Sequence, residues 1–144
     1  MRNESVTSIG LLLSRVLLGF VLAAHGWQKF TQWGIDGTAE SFSEIGIPAA
    51  GLAAVVAALI ELVGGILLIL GLGTRIVAAI EIVQMVLAGL LAGHFANGVF
   101  INDGGWELVG VIIAGCLALL AVGGGAIALD TFFKRGPKSA TAEA

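Results

Sequence analysis

The chain is 144 residues long, 58% hydrophobic and 12% charged, with a net charge of −3. Soluble domains carry about 25% charged residues, so there is too little polar material to wet a globular surface, and the solvent of this chain must be largely lipid. The mild negative charge offers no footprint for nucleic acid, and the single cysteine, Cys116, rules out an intramolecular disulfide or a Cys-x-x-Cys redox pair. The length fits one domain, expected over 1–135 and followed by a disordered cytoplasmic tail over 136–144.

A bilayer core about 30 Å thick takes about 20 apolar residues of helix. Four stretches answer to that, about 9–30, 49–70, 76–93 and 106–129. Span one has Arg2 before it and Ala23-Ala24 near its end, the outline of a cleavable leader, but its apolar run is long and carries Arg15; a retained helix is the better reading. Between spans one and two, Thr38 can cap a short helix over 39–45, with Phe42 and Ile45 on one face and Glu40 and Glu44 on the other. Gly46 would end it and Pro48 would restart the chain. This piece is expected to lie flat on the outer interface. Gly71-Leu72-Gly73 separates spans two and three, and Asn97-Gly98 with Asn102-Asp103-Gly104-Gly105 separates three and four. The fold class is therefore an all-α membrane protein, an antiparallel four-transmembrane-helix bundle with one short interfacial helix.

Basic residues set the orientation. Arg2, Arg75, Lys134, Arg135 and Lys138 fall on one side of four crossings, and the opposite side holds Lys29 with Asp36, Glu40, Glu44 and Asp103. Both termini are thus expected in the cytoplasm. Trp27, Trp33 and Trp106 all fall at the outer boundary, where indoles favour the headgroup layer. Small residues let membrane helices approach closely, and each span offers some: Gly19 and Ala23, Ala54 with Ala58 and Gly65, Gly89 and Gly93, Gly110 and Ala114.

Ionisable residues inside spans are costly and mark function or pairing. Counting about 1.5 Å per residue from the cytoplasmic ends, Arg15 lies about 12 Å deep, Glu61 about 15 Å and Glu81 about 8 Å. The guanidinium fork can hold one carboxylate and reach a second, so Arg15, Glu61, Glu81 and the nearby Gln84 are expected to form one buried cluster. Two acids facing one cation leave either excess negative charge or one protonated acid. The cluster reads first as a staple that fixes helix pairing and second as a polar pocket for a ligand or proton, and one cluster can do both. A second group gathers at the outer mouth. His25, Gln28 and Lys29 share a helical face, His94 and Asn97 end span three, and Asp103 and Glu107 open span four. Scattered imidazoles and carboxylates are a weak metal signal, and no metal is assigned; hydrogen bonding around an opening, or a site that handles protons or a quinone head, suits them better. The chain holds no Gly-x-Ser-x-Gly, phosphate loop or His-Glu-x-x-His. Gly123-Gly124-Gly125 reads as close packing or a helix end, and Cys116 as a small apolar packing residue.

The run Leu12–Phe30, with its arginine and its terminal His25-Gly26-x-x-Lys29, resembles the opening of the DoxX family of membrane proteins. The similarity continues through Gly46-Ile47-Pro48, Glu61-Leu62-Val63-Gly64-Gly65, Gly71-Leu72-Gly73-Thr74-Arg75, His94-Phe95, Gly105-Trp106-Glu107 and the glycine run before Leu129-Asp130. The resemblance implies four helices in a bacterial inner membrane and a polar signature of Arg15, His25, Lys29, Glu61, His94 and Glu107, without assigning their roles. It also implies a redox setting, since related proteins include a subunit of thiosulfate:quinone oxidoreductase and a mycobacterial member of a membrane oxidoreductase complex.

Three functions follow as expectations. The first is a redox-linked subunit whose helices receive a quinone head from the lipid, with electrons supplied by a partner redox protein or a sulfur or thiol substrate. The second is a non-catalytic scaffold that anchors partner proteins or self-associates. The third, small-solute transport, is least supported, because no inverted repeat with broken helices is visible.

Overall fold

The computed structural model describes residues 4–134. Every regular element among them is helical: α1 (Glu4–Thr31), α2 (Gly34–Glu44), α3 (Ala50–Leu70), α4 (Thr74–Leu91), a 3-10 turn (Ile101–Asp103), α5 (Glu107–Val122) and α6 (Leu129–Lys134). The predicted tail over 136–144 lies outside the described residues.

α1, α3 and α4 are each long and apolar enough to cross a membrane. α5 has 16 residues, about 24 Å of helix, yet it travels the full height of α4. Its start is tied to the connection that follows α4, where the Trp106 and Glu107 amides donate to the carbonyls of Gly98 and Val99. Its exit lies against the start of α4, since a methyl group on Gly124 would come within 2.7 Å of Thr74 Oγ1. The chain therefore makes four passes. The fourth is shorter than the predicted 106–129 because Gly123 and Gly125 both take φ of +83°, a region that disfavours other residues and ends the helix. α1 begins earlier than predicted, at Glu4 rather than near residue 9.

α1 packs most closely on α3, α4 on α5, and α3 on α4, with α1 and α5 closing the ring. The α1–α3 seam rests on glycine. A methyl group on Gly65 would come within 2.5 Å of the Gly19 carbonyl and the Ala23 amide, and one on Gly26 would strike the backbone of Ala58 and Leu62. Backbones this close gain dispersion contacts that lipid tails cannot match. The other small pairs serve differently: Gly89 makes room for the Phe95 ring and Gly110 for the Trp106 ring. The core is Leu22, Leu68, Val77, Ala78, Met85, Val109, Ile112, Cys116 and Leu119. Outside it, Leu13, Leu17, Phe20, Leu52, Val83, Leu90 and Val111 are all more than half exposed. A continuous apolar exterior on this scale is a lipid face, not a wetted one.

α2 is longer than the predicted 39–45 and starts at Gly34. Thr38 is not its cap: it lies inside the helix, nearly fully buried, and its Oγ1 donates to the Gly34 carbonyl at 2.9 Å, the i−4 bond that threonine makes mid-helix. The stop is as expected. Gly46 has φ of +79°, its amide donates to Ser43 O, and the Ile47 amide donates to Phe42 O at 2.9 Å, which is a Schellman closure. α2 packs on α3 and α1.

A polar wall in an apolar cavity

Arg15 does not join the predicted cluster. It is buried at the end of the bundle that holds the described termini, where its Nη1 donates to the carbonyls of Leu68 (3.1 Å) and Ile69, and its Nη2 to Ile127 (3.3 Å). Leu68 and Ile69 belong to the last turn of α3, whose carbonyls have no partner within the helix. A cation there also meets the negative end of the helix dipole. Asp130 completes this end by accepting from the amides of Gly73 (2.8 Å) and Thr74 (3.0 Å), capping α4 from a distant part of the chain. The sequence depth put Arg15 near the level of Glu61 because each span was measured from its own end, whereas the bundle's own floor is the α3–α4 turn, where Arg15 sits against the carbonyls of Leu68 and Ile69.

The residue that meets Glu61 is Lys29. Its Nζ lies 2.5 Å from Glu61 Oε2, and Gln84 Nε2 donates to Glu61 Oε1 at 2.9 Å. Side chains lean toward the N-terminus of their own helix. α1 and α3 run in opposite directions, so Lys29, near the end of α1, leans into the bundle and Glu61, midway along α3, leans out to meet it. The Lys29 ammonium also stands 6.0 Å from the centre of the Trp33 ring, at the limit of a cation–π contact. Lys29, assigned by sequence to the outer mouth, is thus 8% exposed and part of the buried network.

Glu81 lies behind this network. It is fully buried, and neither carboxyl oxygen has a hydrogen-bond partner among the described residues. Its Oε1 occupies the space left by Gly64, where a methyl group would come within 2.5 Å. Glu61 and Lys29 are both within electrostatic reach of it.

These groups border a cavity of about 680 Å³, well inside the range of small-molecule sites. Its walls come from the first half of α3 (Ala53 to Glu61), the second half of α4 (Ala79 to Ala92), the start of α5 and the end of α1, with Trp33, Phe42, Ile45 and Ile47 closing it from the α2 side. Nearly all of the lining is apolar. The exceptions are His25, Lys29, Glu61, Gln84 and His94. Val56, Ile80, Val83 and Leu87 line the cavity and are themselves 44–60% exposed. The cavity therefore opens sideways between α3 and α4, toward lipid.

Both histidines are held the same way. His25 Nδ1 lies 2.8 Å from the Val21 carbonyl and His94 Nδ1 lies 2.7 Å from the Gly104 carbonyl. A carbonyl only accepts, so each Nδ1 is the donor of that bond and each ring keeps Nε2 available for a ligand. Other sequence candidates sit elsewhere. Gln28 donates to Gln32 on the exposed side of α1. Asn97 and Asp103 are exposed in the α4–α5 connection. Glu107 does not face the cavity either: its Oε1 accepts from the Ile101 amide at 2.7 Å and organises that connection. Among the described residues no three His, Cys, Asp or Glu side chains gather closely enough to hold a metal ion. Sequence reasoning missed the contribution of the α2 segment to the cavity; the apolar pair Phe42 and Ile45 was the available signal.

Comparison with known proteins places these residues in context. The DoxX family model matches residues 10–94. A protein of Bacillus subtilis (strain 168) named "Putative oxidoreductase CatD" is 35% identical over 94% of this chain and 96% of its own length. The "Inner membrane protein YphA" of Escherichia coli (strain K12) is 30% identical over 83% of this chain and 87% of its own. An uncharacterized protein of Haemophilus influenzae (strain ATCC 51907 / DSM 11121 / KW20 / Rd) is 36% identical over 87% and 92% respectively. No solved structure matches the chain.

Proposed function

This chain belongs to the DoxX family of membrane proteins, and we propose that within it the protein acts as a redox-linked subunit that binds the head of a quinone. One observation carries this reading: an apolar cavity open to lipid between α3 and α4 ends on a wall of Lys29, Glu61 and Gln84 and is flanked by two histidines with Nε2 available for a ligand. A quinone has that division of character, an isoprenoid tail for the seam and two carbonyl oxygens for the wall. The oxidoreductase name of the Bacillus relative supports a redox role for the same site.

Within that reading the roles divide by chemistry. The Lys29 ammonium, which keeps donors beyond the one that Glu61 takes, is the donor for a quinone oxygen. His25 and His94 accept hydrogen bonds from the hydroxyls of the quinol as it forms. Reducing a quinone to a quinol takes two electrons and two protons. This chain supplies hydrogen bonds and protons, and a sulfur- or thiol-oxidising partner protein supplies the electrons. The basic residues Arg75 and Lys134 at the end holding the described termini, with Arg2, Arg135 and Lys138 in the sequence, support an inner-membrane orientation with both termini in the cytoplasm.

Trp33 lines the cavity and serves as the probe. In a protein with Trp27→Phe and Trp106→Phe, a short-chain benzoquinone added to micelles should quench Trp33 fluorescence with a saturable isotherm, and Lys29→Met should weaken that binding. Linear, non-saturating quenching identical in both proteins would leave the chain as a scaffold that organises partners, with its ion pair serving only to pin α1 to α3.

A further inference from the structure

The least explained group in the molecule is Glu81. Each of its carboxyl oxygens is buried and unpartnered among the described residues, although Gln84, one turn away on α4, and Glu61 on α3 are hydrogen-bonded to each other. An unpaired carboxylate in hydrocarbon costs many kcal/mol, so the form this niche accommodates is the neutral acid. Charge balance points the same way. Lys29 is the one cation in the network and Glu61 already answers it. The groups that face Glu81 from the packed helices are Lys29 on α1, Glu61 on α3 and Cys116 on α5, and none of them is a further cation.

We propose that Glu81 is the proton reserve of the cavity, a positioning residue that exchanges one proton with Glu61. It does not line the cavity, whereas Glu61 does. The step is an acid–base exchange: the Glu81 side chain, which makes no hydrogen bond to Glu61 in this structure, turns to meet it, the Glu81 O–H bond breaks as its proton passes to the Glu61 carboxylate, and Glu61 delivers it to an oxygen of the bound ligand. Glu81 is a carboxylate only transiently, the costly form in this niche, and regains a proton by the same route through Glu61, which lines the cavity. One of the two protons of quinone reduction is accounted for in this way. Gly64 is part of the device, because any side chain there would fill the niche that Glu81 occupies.

The inference rests on the quinone reading, and infrared difference spectroscopy separates the two. The probe is a short-chain benzoquinone added to the purified full-length protein in lipid nanodiscs. Wild type should show the carbonyl stretch of a buried, protonated carboxylic acid, and that band should shift on quinone binding. Glu81→Gln should lose the band yet bind quinone with unchanged affinity and keep its thermal stability. Where Glu81→Gln does not fold, Glu81→Asp should move the band and identify it. Absence of a Glu81-dependent band, or a band that ignores a bound quinone, overturns the inference and leaves the quinone reading intact. Failure of wild type to bind quinone at all overturns both.

Discussion

Replacing Lys29 by methionine keeps the length and apolar stem of the side chain and removes only the ammonium. Glu61 would then keep one hydrogen bond, from Gln84 at 2.9 Å, and lose its ion pair at 2.5 Å. An exposed pair is worth about 0–1 kcal/mol, but these side chains are 10% and 7% exposed. Breaking a buried pair from one side costs about 3–5 kcal/mol, roughly a 10²- to 4 × 10³-fold shift in the unfolding equilibrium. The double variant Lys29→Met/Glu61→Met removes both charges together. It should be far less harmful than the single change, because no charge is stranded and Gln84 Nε2 still has the Ala57 carbonyl within 3.4 Å. The assay is equilibrium unfolding in mixed micelles followed by tryptophan fluorescence. A silent Lys29→Met, or a double variant whose loss equals the sum of the two singles, would refute the buried pair as the contact that joins α1 to α3.

Two further outcomes test the frame around the cavity. Arg15→Lys should destabilise the protein by about 1.5–3 kcal/mol, the worth of one charged hydrogen bond, since an ammonium cannot span the carbonyls of Leu68, Ile69 and Ile127 as the guanidinium fork does; the same micelle titration measures it, and full retention of stability would show that the fork is not needed. Gly26→Ala should cost about 1–3 kcal/mol by overpacking, because the new methyl group would strike the backbone of Ala58 and Leu62. Gly51→Ala, where the space is open, is the matched control and should cost nothing in the same micelle titration.

The spans were legible because membrane thickness imposes a length that residue counting reads directly. Their ends were less so. Gly123-Gly124-Gly125 was readable as close packing or a helix end, and Gly123 does stop α5 through a positive φ, short of the span end at 129, while the polar start of α1 at Glu4 continues a helix beyond its apolar part. The polar partnerships were legible as a charge pattern, one cation to two buried acids, but not as an assignment. Depth along each helix ranks main-chain positions; it omits the lean of each side chain toward its own N-terminus. That lean carries Lys29 inward to Glu61. It also omits the demand of helix-end carbonyls for donors, which holds Arg15 at the α3 terminus. The cavity itself needed the fold, since it is assembled from α1, α3, α4, α5 and the α2 segment.

The central claim, that the space beside Lys29, Glu61 and Gln84 holds a quinone, is tested most directly by extracting the protein from its native membrane in mild detergent and measuring bound quinone by mass spectrometry against total lipid. Wild type should carry quinone well above its share of the lipid, and Val83→Trp, placed at the sideways opening, should lose that enrichment while remaining folded. Equal quinone-to-lipid ratios in wild type, in Val83→Trp and in the bulk membrane would contradict the account.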